Sequence, residues 1–325
     1  MTRTADKSKP STSSRTPSSK SSAQVAELRD ATGSNELKSL QLLAKSTVDG
    51  LTGGRHRSKH RGSSVEFKEH RAYVRGDAIQ SIDWKLFGKS DRFFIRQYED
   101  ETSLRGLVLL DQSGSMGYSG TQSSGLTKHD FAVRLAACLA TLLVRQQDAA
   151  GLVTCDTEMR QLLLPRSTPA HLNAILAELA ASRPNGETSL GKALKTTAGR
   201  LKKRGLGRSL IFLISDCFDD VLQIASAVKL FRHHGHDVTL FQVWDHDELH
   251  FPFRNRTEFK SLESTSQRLV DPNSLRLAYL EKVERFRQDL SSAMRKQRVD
   301  VISCLSNQSC TEVLREWLHT RSRAS

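Results

Sequence analysis

The sequence predicts an α/β protein: a doubly wound, mostly parallel sheet with flanking helices, accompanied by a small N-terminal subdomain. Three observations carry this. From residue 104 onward, short apolar runs alternate with longer segments of helical periodicity, the rhythm of a doubly wound sheet. Runs such as Leu107 to Leu110 and Leu210 to Ile214 contain no polar interruption, as expected of strands buried on both faces. Residues 63 to 100 break the rhythm with aromatic and charged residues mixed together, which marks a separate satellite unit.

Taken in order, residues 1 to about 24 are Ser, Thr, Lys and Pro with almost nothing apolar; such a segment cannot bury a core and is expected to be disordered. Residues 34 to 50 place Leu37, Leu40, Leu43 and Ala44 at helical spacing. A basic, glycine-flanked loop follows, Gly53-Gly-Arg-His-Arg-Ser-Lys-His-Arg-Gly62, and 91 to 98 alternates enough for an extended segment. Strands are expected at 104–110, 150–155, 209–215, 238–244 and 299–304, and helices at 127–147, 168–181, 189–204, 219–234, 273–297 and 309–321. The resulting division is a basic tail at 1–33, an N-terminal subdomain at 34–103 and the α/β domain at 104–322.

The 325 residues suffice for one large domain and a smaller one. A net charge of +13 favours acidic partners, whether nucleic acid, anionic membrane or acidic protein. No run approaches the roughly 18 apolar residues of a membrane helix, and the polar N-terminus lacks an apolar signal core. Cys138, Cys155, Cys217, Cys304 and Cys310 are scattered without a C-x-x-C pair. Free thiols and a cytoplasmic location are therefore expected.

The stretch Gly106-Leu-Val-Leu-Leu-Asp111-Gln-Ser113-Gly-Ser115 ends an apolar run in a carboxylate, with hydroxyls at alternate positions after it. Ligands of open α/β sheets bind beyond the carboxyl ends of the strands. Two further segments belong with it: Gly186-Glu-Thr188 in a loop before a helix, and a second buried run ending Ser215-Asp216. Together they offer hard oxygen donors, the set that suits Mg²⁺ or Mn²⁺. Ser113, Ser115 and Thr188 would ligate directly, with Asp111 and Asp216 acting directly or through water. Few direct negative ligands leave such an ion electrophilic, with a coordination position open to a partner protein's carboxylate.

This five-residue pattern resembles the metal-ion-dependent adhesion site of von Willebrand factor A-type domains. The remainder resembles the DUF58 family over roughly residues 34 to 322: Gly62-Ser-Ser-Val-Glu66-Phe67, Arg71-x-Tyr73-x-x-Gly76-Asp77, Ile82-Asp83-Trp84, Asp91-Arg92 and Glu248-Leu-His-Phe-Pro252-Phe. The resemblance implies a bacterial protein with a von Willebrand A-like part. It further implies an adaptor or chaperone-like partner of a MoxR-type AAA+ ATPase, since such ATPases are often encoded beside the family. Family members often carry membrane segments upstream, which this sequence does not show. Glu66, Arg71, Asp77 and Asp83 form either a structural ion-pair network or, with Trp84, a partner-docking surface. Trp84 and Tyr73 are expected to serve as core or packing anchors rather than as a ligand cage.

Several patterns carry less. Gly186-x4-Gly191-Lys192 nearly spells a phosphate loop, but Ala193 stands where the motif needs Ser or Thr. His246-Asp-Glu-Leu-His250 has Asp where a zinc-protease helix has Glu. A hydrolase using Asp111, Ser113 and Ser115 would need a distant base such as His129. Nucleic-acid binding through the tail and the 55–61 loop is the rival from another class, although no aromatics interleave the basic residues.

Overall fold

The computed structural model describes residues 22–52, 66–74, 82–90, 92–99, 104–123, 125–263 and 266–324. In chain order the elements are α1 (Ser22–Thr52), β1 (Glu66–Ala72), α2 (Trp84–Ser90), β2 (Phe94–Glu99), β3 (Arg105–Asp111), a 3-10 turn (Gly114–Gly117), α3 (Lys128–Arg145), β4 (Ala149–Cys155) and β5 (Met159–Arg166). They continue with α4 (Pro169–Ala181), α5 (Leu190–Lys203), β6 (Leu210–Ser215), α6 (Val221–His233), β7 (Asp237–Trp244), α7 (His246–His250), β8 (Thr257–Lys260), β9 (Gln267–Val270), α8 (Pro272–Lys296), β10 (Asp300–Leu305) and α9 (Cys310–Ala324).

Six strands form one sheet in the order β10-β7-β6-β3-β4-β5, parallel except for the β4–β5 pair. The apolar runs explain this: every residue of β3 after Arg105 is buried, and all of β6 is. Alternate residues feed opposite faces. Val108, Leu110, Phe212 and Ile214 pack beneath α1, α3, α4 and α9, while Leu107, Leu109, Ile211 and Leu213 pack beneath α5, α6 and α8. Each such side chain contributes roughly 1.5–3 kcal/mol on burial. A Cβ added at Gly106 would stand 2.2 Å from Leu143 Cδ1, so α3 rests as close to β3 as glycine permits.

The five expected strands and the helices after residue 126 are all present, within a few residues of their expected ends. The antiparallel edge strand β5 was not expected. Its sequence, Met159-Arg-Gln-Leu-Leu-Leu-Pro-Arg166, carries a proline that only an edge tolerates, and only one of its sides is paired. The first helix begins at Ser22, inside the segment assigned to the tail, and runs to Thr52. Its Leu40, Ala44 and Val48 lie in the core beneath the main sheet, so by packing this helix belongs to the α/β body. The extended segment expected at 91–98 is β2, which pairs antiparallel with β1.

Two smaller units lie outside the main sheet: the β1–β2 ribbon and a β8–β9 hairpin. All five cysteines are buried and free. No helix among the described residues is long and apolar enough to cross a membrane.

Candidate metal centre

The sheet order places the site. The chain leaves β3 towards β4 and β5 on one side, then crosses to β6, β7 and β10 on the other. The crevice at that reversal lies beyond the carboxyl ends of β3 and β6. Because Leu110 pairs with Ile214 across the two strands, Asp111 and the Ser215-Asp216 turn arrive side by side.

Asp111 is 1 % exposed. Its Oδ1 accepts the Ser113 N–H at 2.9 Å, which folds the Asp111-Gln112-Ser113 turn back on the carboxylate. Its Oδ2 accepts the Ser215 hydroxyl at 2.5 Å, and that same hydroxyl accepts the Cys217 N–H at 2.8 Å. Cys217 takes a left-handed backbone (φ 60°), a conformation that a residue with a Cβ adopts at a cost. Ser113 and Ser115 oxygens lie 3.1 Å apart. The loop bearing Thr188 is tied to them by two backbone bonds, Gly114 N–H to the Gly186 carbonyl at 3.0 Å and Asn185 N–H to the Gln112 carbonyl at 2.8 Å. The structure thus brings Asp111, Ser113, Ser115 and the Thr188 loop to one edge.

Burial, reinforced by the negative charge of Asp216, raises the Asp111 carboxyl to about 7. The site is therefore short of positive charge at Asp111, and a cation there would reverse that shift. Among the described residues no three His, Cys, Asp or Glu side chains are grouped to hold a metal. The candidate set is instead mostly hydroxyl, in keeping with a hard divalent ion such as Mg²⁺ or Mn²⁺.

Asp216 sits at the same edge but is already engaged. Its Oδ2 accepts the Lys128 ammonium at 2.8 Å and its Oδ1 accepts the Phe218 N–H at 3.2 Å. Lys128 is wholly buried; it also donates to Glu248 at 2.6 Å and lies 4.7 Å from the centre of the Phe218 ring. Burial alone would lower the lysine pKa, but the two carboxylates outweigh it and raise it. Lys128 opens α3, where a helix dipole disfavours positive charge; these partners offset that. Lys128 was not among the site residues that the sequence suggested, and Glu248 entered only through the family resemblance and the His246–His250 pattern. The visible signal was the Thr127-Lys-His-Asp130 capping box, which locates the helix start but not the buried ammonium.

The remaining candidates separate. Asp83 is buried, and its carboxylate caps α2 by accepting the Lys85 and Leu86 N–H groups at 3.0 and 3.2 Å. Trp84 is 59 % exposed and packs edge-to-face on Phe87 and Phe93, with Tyr73 beside Phe93. It is an anchor of a surface aromatic cluster, not of the core. Arg71 lies in β1 opposite Ile95. Its side chain, the side chain of Glu66, the whole of Asp77 and the 55–61 loop lie outside the described residues. His129 is buried and 3.3 Å from Ser182; among the described residues no histidine bonds to Ser113 or Ser115.

A doubly wound sheet carrying an Asp-x-Ser-x-Ser turn at its reversal point is the arrangement that the resemblance to von Willebrand A-like domains implies. The chain belongs to the DUF58 family, described as a protein of unknown function, whose match spans residues 69–289. Uncharacterized proteins of Mycobacterium tuberculosis and Mycobacterium bovis are 22% identical over 284 residues, covering 87% of this chain and 85% of theirs. Similar solved structures include an aerotolerance-related membrane protein from Bacteroides fragilis, at TM-score 0.43 and 20% identity over 66% of this chain and 98% of that one. The conserved hypothetical protein BatB from Bacteroides thetaiotaomicron gives TM-score 0.42 and 15% identity over 68% and 99%. A von Willebrand factor type A protein from Catenulispora acidiphila gives TM-score 0.31 and 16% identity over 46% and 34%.

Proposed function

We propose that the protein is a non-enzymatic, metal-dependent protein-interaction module. Ser113, Ser115 and Thr188 would hold Mg²⁺ or Mn²⁺ by their hydroxyls, and Asp111 would orient Ser113 and supply negative charge behind it. The bound ion would supply Lewis acidity towards an acidic side chain of a partner. One observation carries this reading: a carboxylate buried at the sheet reversal, with no cationic side chain bonded to it among the described residues, beneath two adjacent hydroxyls. Asp216 contributes through its field and its hold on Lys128 rather than as a free ligand.

Among the described residues no histidine bonds to the two serines, and the carboxylate beside Ser113 is Asp111, which this reading assigns to the ion; that favours binding over acyl transfer. The partner class implied by the family resemblance is a MoxR-type AAA+ ATPase. Calorimetric titration of the full chain with Mn²⁺ should show one saturable site, lost in Ser115→Ala combined with Thr188→Ala. Equal affinity in that variant would refute the site. Capture of a MoxR-type ATPase should require Mg²⁺ and fail with chelator; capture indifferent to chelator would separate partner from metal.

A further inference from the structure

The hairpin β8–β9 returns to the site from a segment that no sequence motif marks. At its apex Glu263 grips Thr188 with both oxygens: Oε1 accepts the Thr188 hydroxyl and Oε2 accepts the Thr188 N–H at 3.3 Å. A second contact fixes the hairpin from the serine side. A Cβ added at Gly114 would stand 2.6 Å from the Leu262 carbonyl oxygen and 3.2 Å from Glu263 Cγ. The turn carrying Ser113 and Ser115 therefore meets the hairpin at backbone contact, and Glu263 lies between that turn and Thr188.

We propose that Glu263 is an in-chain carboxylate ligand of this site, filling the coordination position that a partner's carboxylate would take. The proposal rests on the metal reading given above. Adjacent oxygens around an octahedral ion at ~2.1 Å stand roughly 3 Å apart, so a carboxylate hydrogen-bonded to a ligand hydroxyl is already at neighbouring-ligand distance. The Thr188 hydroxyl has one proton and two lone pairs; donating the proton to Glu263 leaves a lone pair for a cation. A partner then competes with a carboxylate of the same chemistry, and binding requires the hairpin to move aside.

The hairpin is built to do so. Its two strands have four residues each and, among the described residues, pair only with one another, an arrangement marginal in isolation. It is rooted by Phe251, Phe253, Phe259 and Tyr279, with Phe251 4.6 Å from Tyr279 and 5.2 Å between the Phe253 and Phe259 rings. The root is therefore an aromatic cluster, while Leu262 at the apex is 50 % exposed.

The test is Mn²⁺ affinity of the full chain, measured by electron paramagnetic resonance of free Mn²⁺, for wild type, Glu263→Ala, Glu263→Gln and Ser115→Ala, each with and without acetate. Wild type should be indifferent to acetate. Glu263→Ala and the isosteric Glu263→Gln should bind several-fold more weakly, and acetate should restore Glu263→Ala towards wild type. Undiminished affinity in both Glu263 variants, or no response of Glu263→Ala to acetate, overturns the proposal. Loss of Mn²⁺ in Ser115→Ala with both Glu263 variants intact would overturn the Glu263 role alone. Wild-type affinity in Ser115→Ala, or no Mn²⁺ binding by wild type, would overturn the metal site and this proposal together.

Discussion

Asp216, at the end of β6, shares the ammonium of Lys128 with Glu248 of α7; on the adjacent strand, at the end of β3, Asp111 has only hydroxyl and N–H donors among the described residues. Both clusters lie at the carboxyl edge of one sheet, and both bury carboxylate charge. The first carries its own cation and keeps it charged: the lysine pKa is raised despite complete burial. The second has none bonded to it among the described residues, and burial pushes the Asp111 carboxyl up to about 7. Buried carboxylates need a counter-charge. The comparison separates a structural pin from a position where a cation, if bound as proposed, would offset the burial of a carboxylate.

The largest effect should come from the pin. Lys128→Met leaves Asp216 and Glu248 unpaired, and removal of one partner of a buried ion pair costs about 3–5 kcal/mol. Urea denaturation measures it; a loss under about 1 kcal/mol would mean that Lys128 is not what holds the edge together.

His129, the next residue, sharpens the contrast. It is buried beside Ser182 with no carboxylate bonded to it among the described residues, and burial lowers its pKa from 6.5 to about 4. The folded state therefore binds fewer protons than the unfolded state between those values. This contribution is complete above the unfolded pKa near 6.5 and is lost as pH falls through about 4. At ~1.4 kcal/mol per unit the amplitude is roughly 3 kcal/mol. His129→Gln should flatten the stability–pH curve in that window; an unchanged curve would reassign the acid sensitivity.

A smaller effect is expected at the Asp111 cluster. Ser113→Ala combined with Ser115→Ala should weaken Mn²⁺ binding at least tenfold, about 1.4 kcal/mol. The metal-free protein should lose only ~1 kcal/mol with the hydrogen bond between them. An equal loss in both measurements would make this cluster a structural pin as well. The smallest change should follow Thr127→Ala, which removes the cap in front of Lys128. A loss of ~1 kcal/mol in thermal unfolding is expected, with Mn²⁺ affinity unaltered.

The parts of the site legible in the sequence were those coupled to local pattern. Asp111, Ser113 and Ser115 follow a buried strand directly, and Ser215-Asp216 ends another. The partners of these residues were not legible. Lys128 meets Asp216 across 88 positions and Glu248 across 120, and Glu263 meets Thr188 across 75. No periodicity reports such pairings. Lys128 in particular stands in the first turn of α3, where a lysine would ordinarily face solvent.

The amino-acid sequence by itself determined the doubly wound sheet, its strand ends and the hydroxyl-rich turn at β3, because apolar runs and turn residues act through neighbours a few positions away. Only the tertiary structure decided three further things. The first helix joins the main core, Asp216 answers an internal ammonium, and a small hairpin brings Glu263 onto Thr188. Each depends on desolvating charged or apolar groups from distant segments against one another, and that free energy exists only once the chain has brought them together.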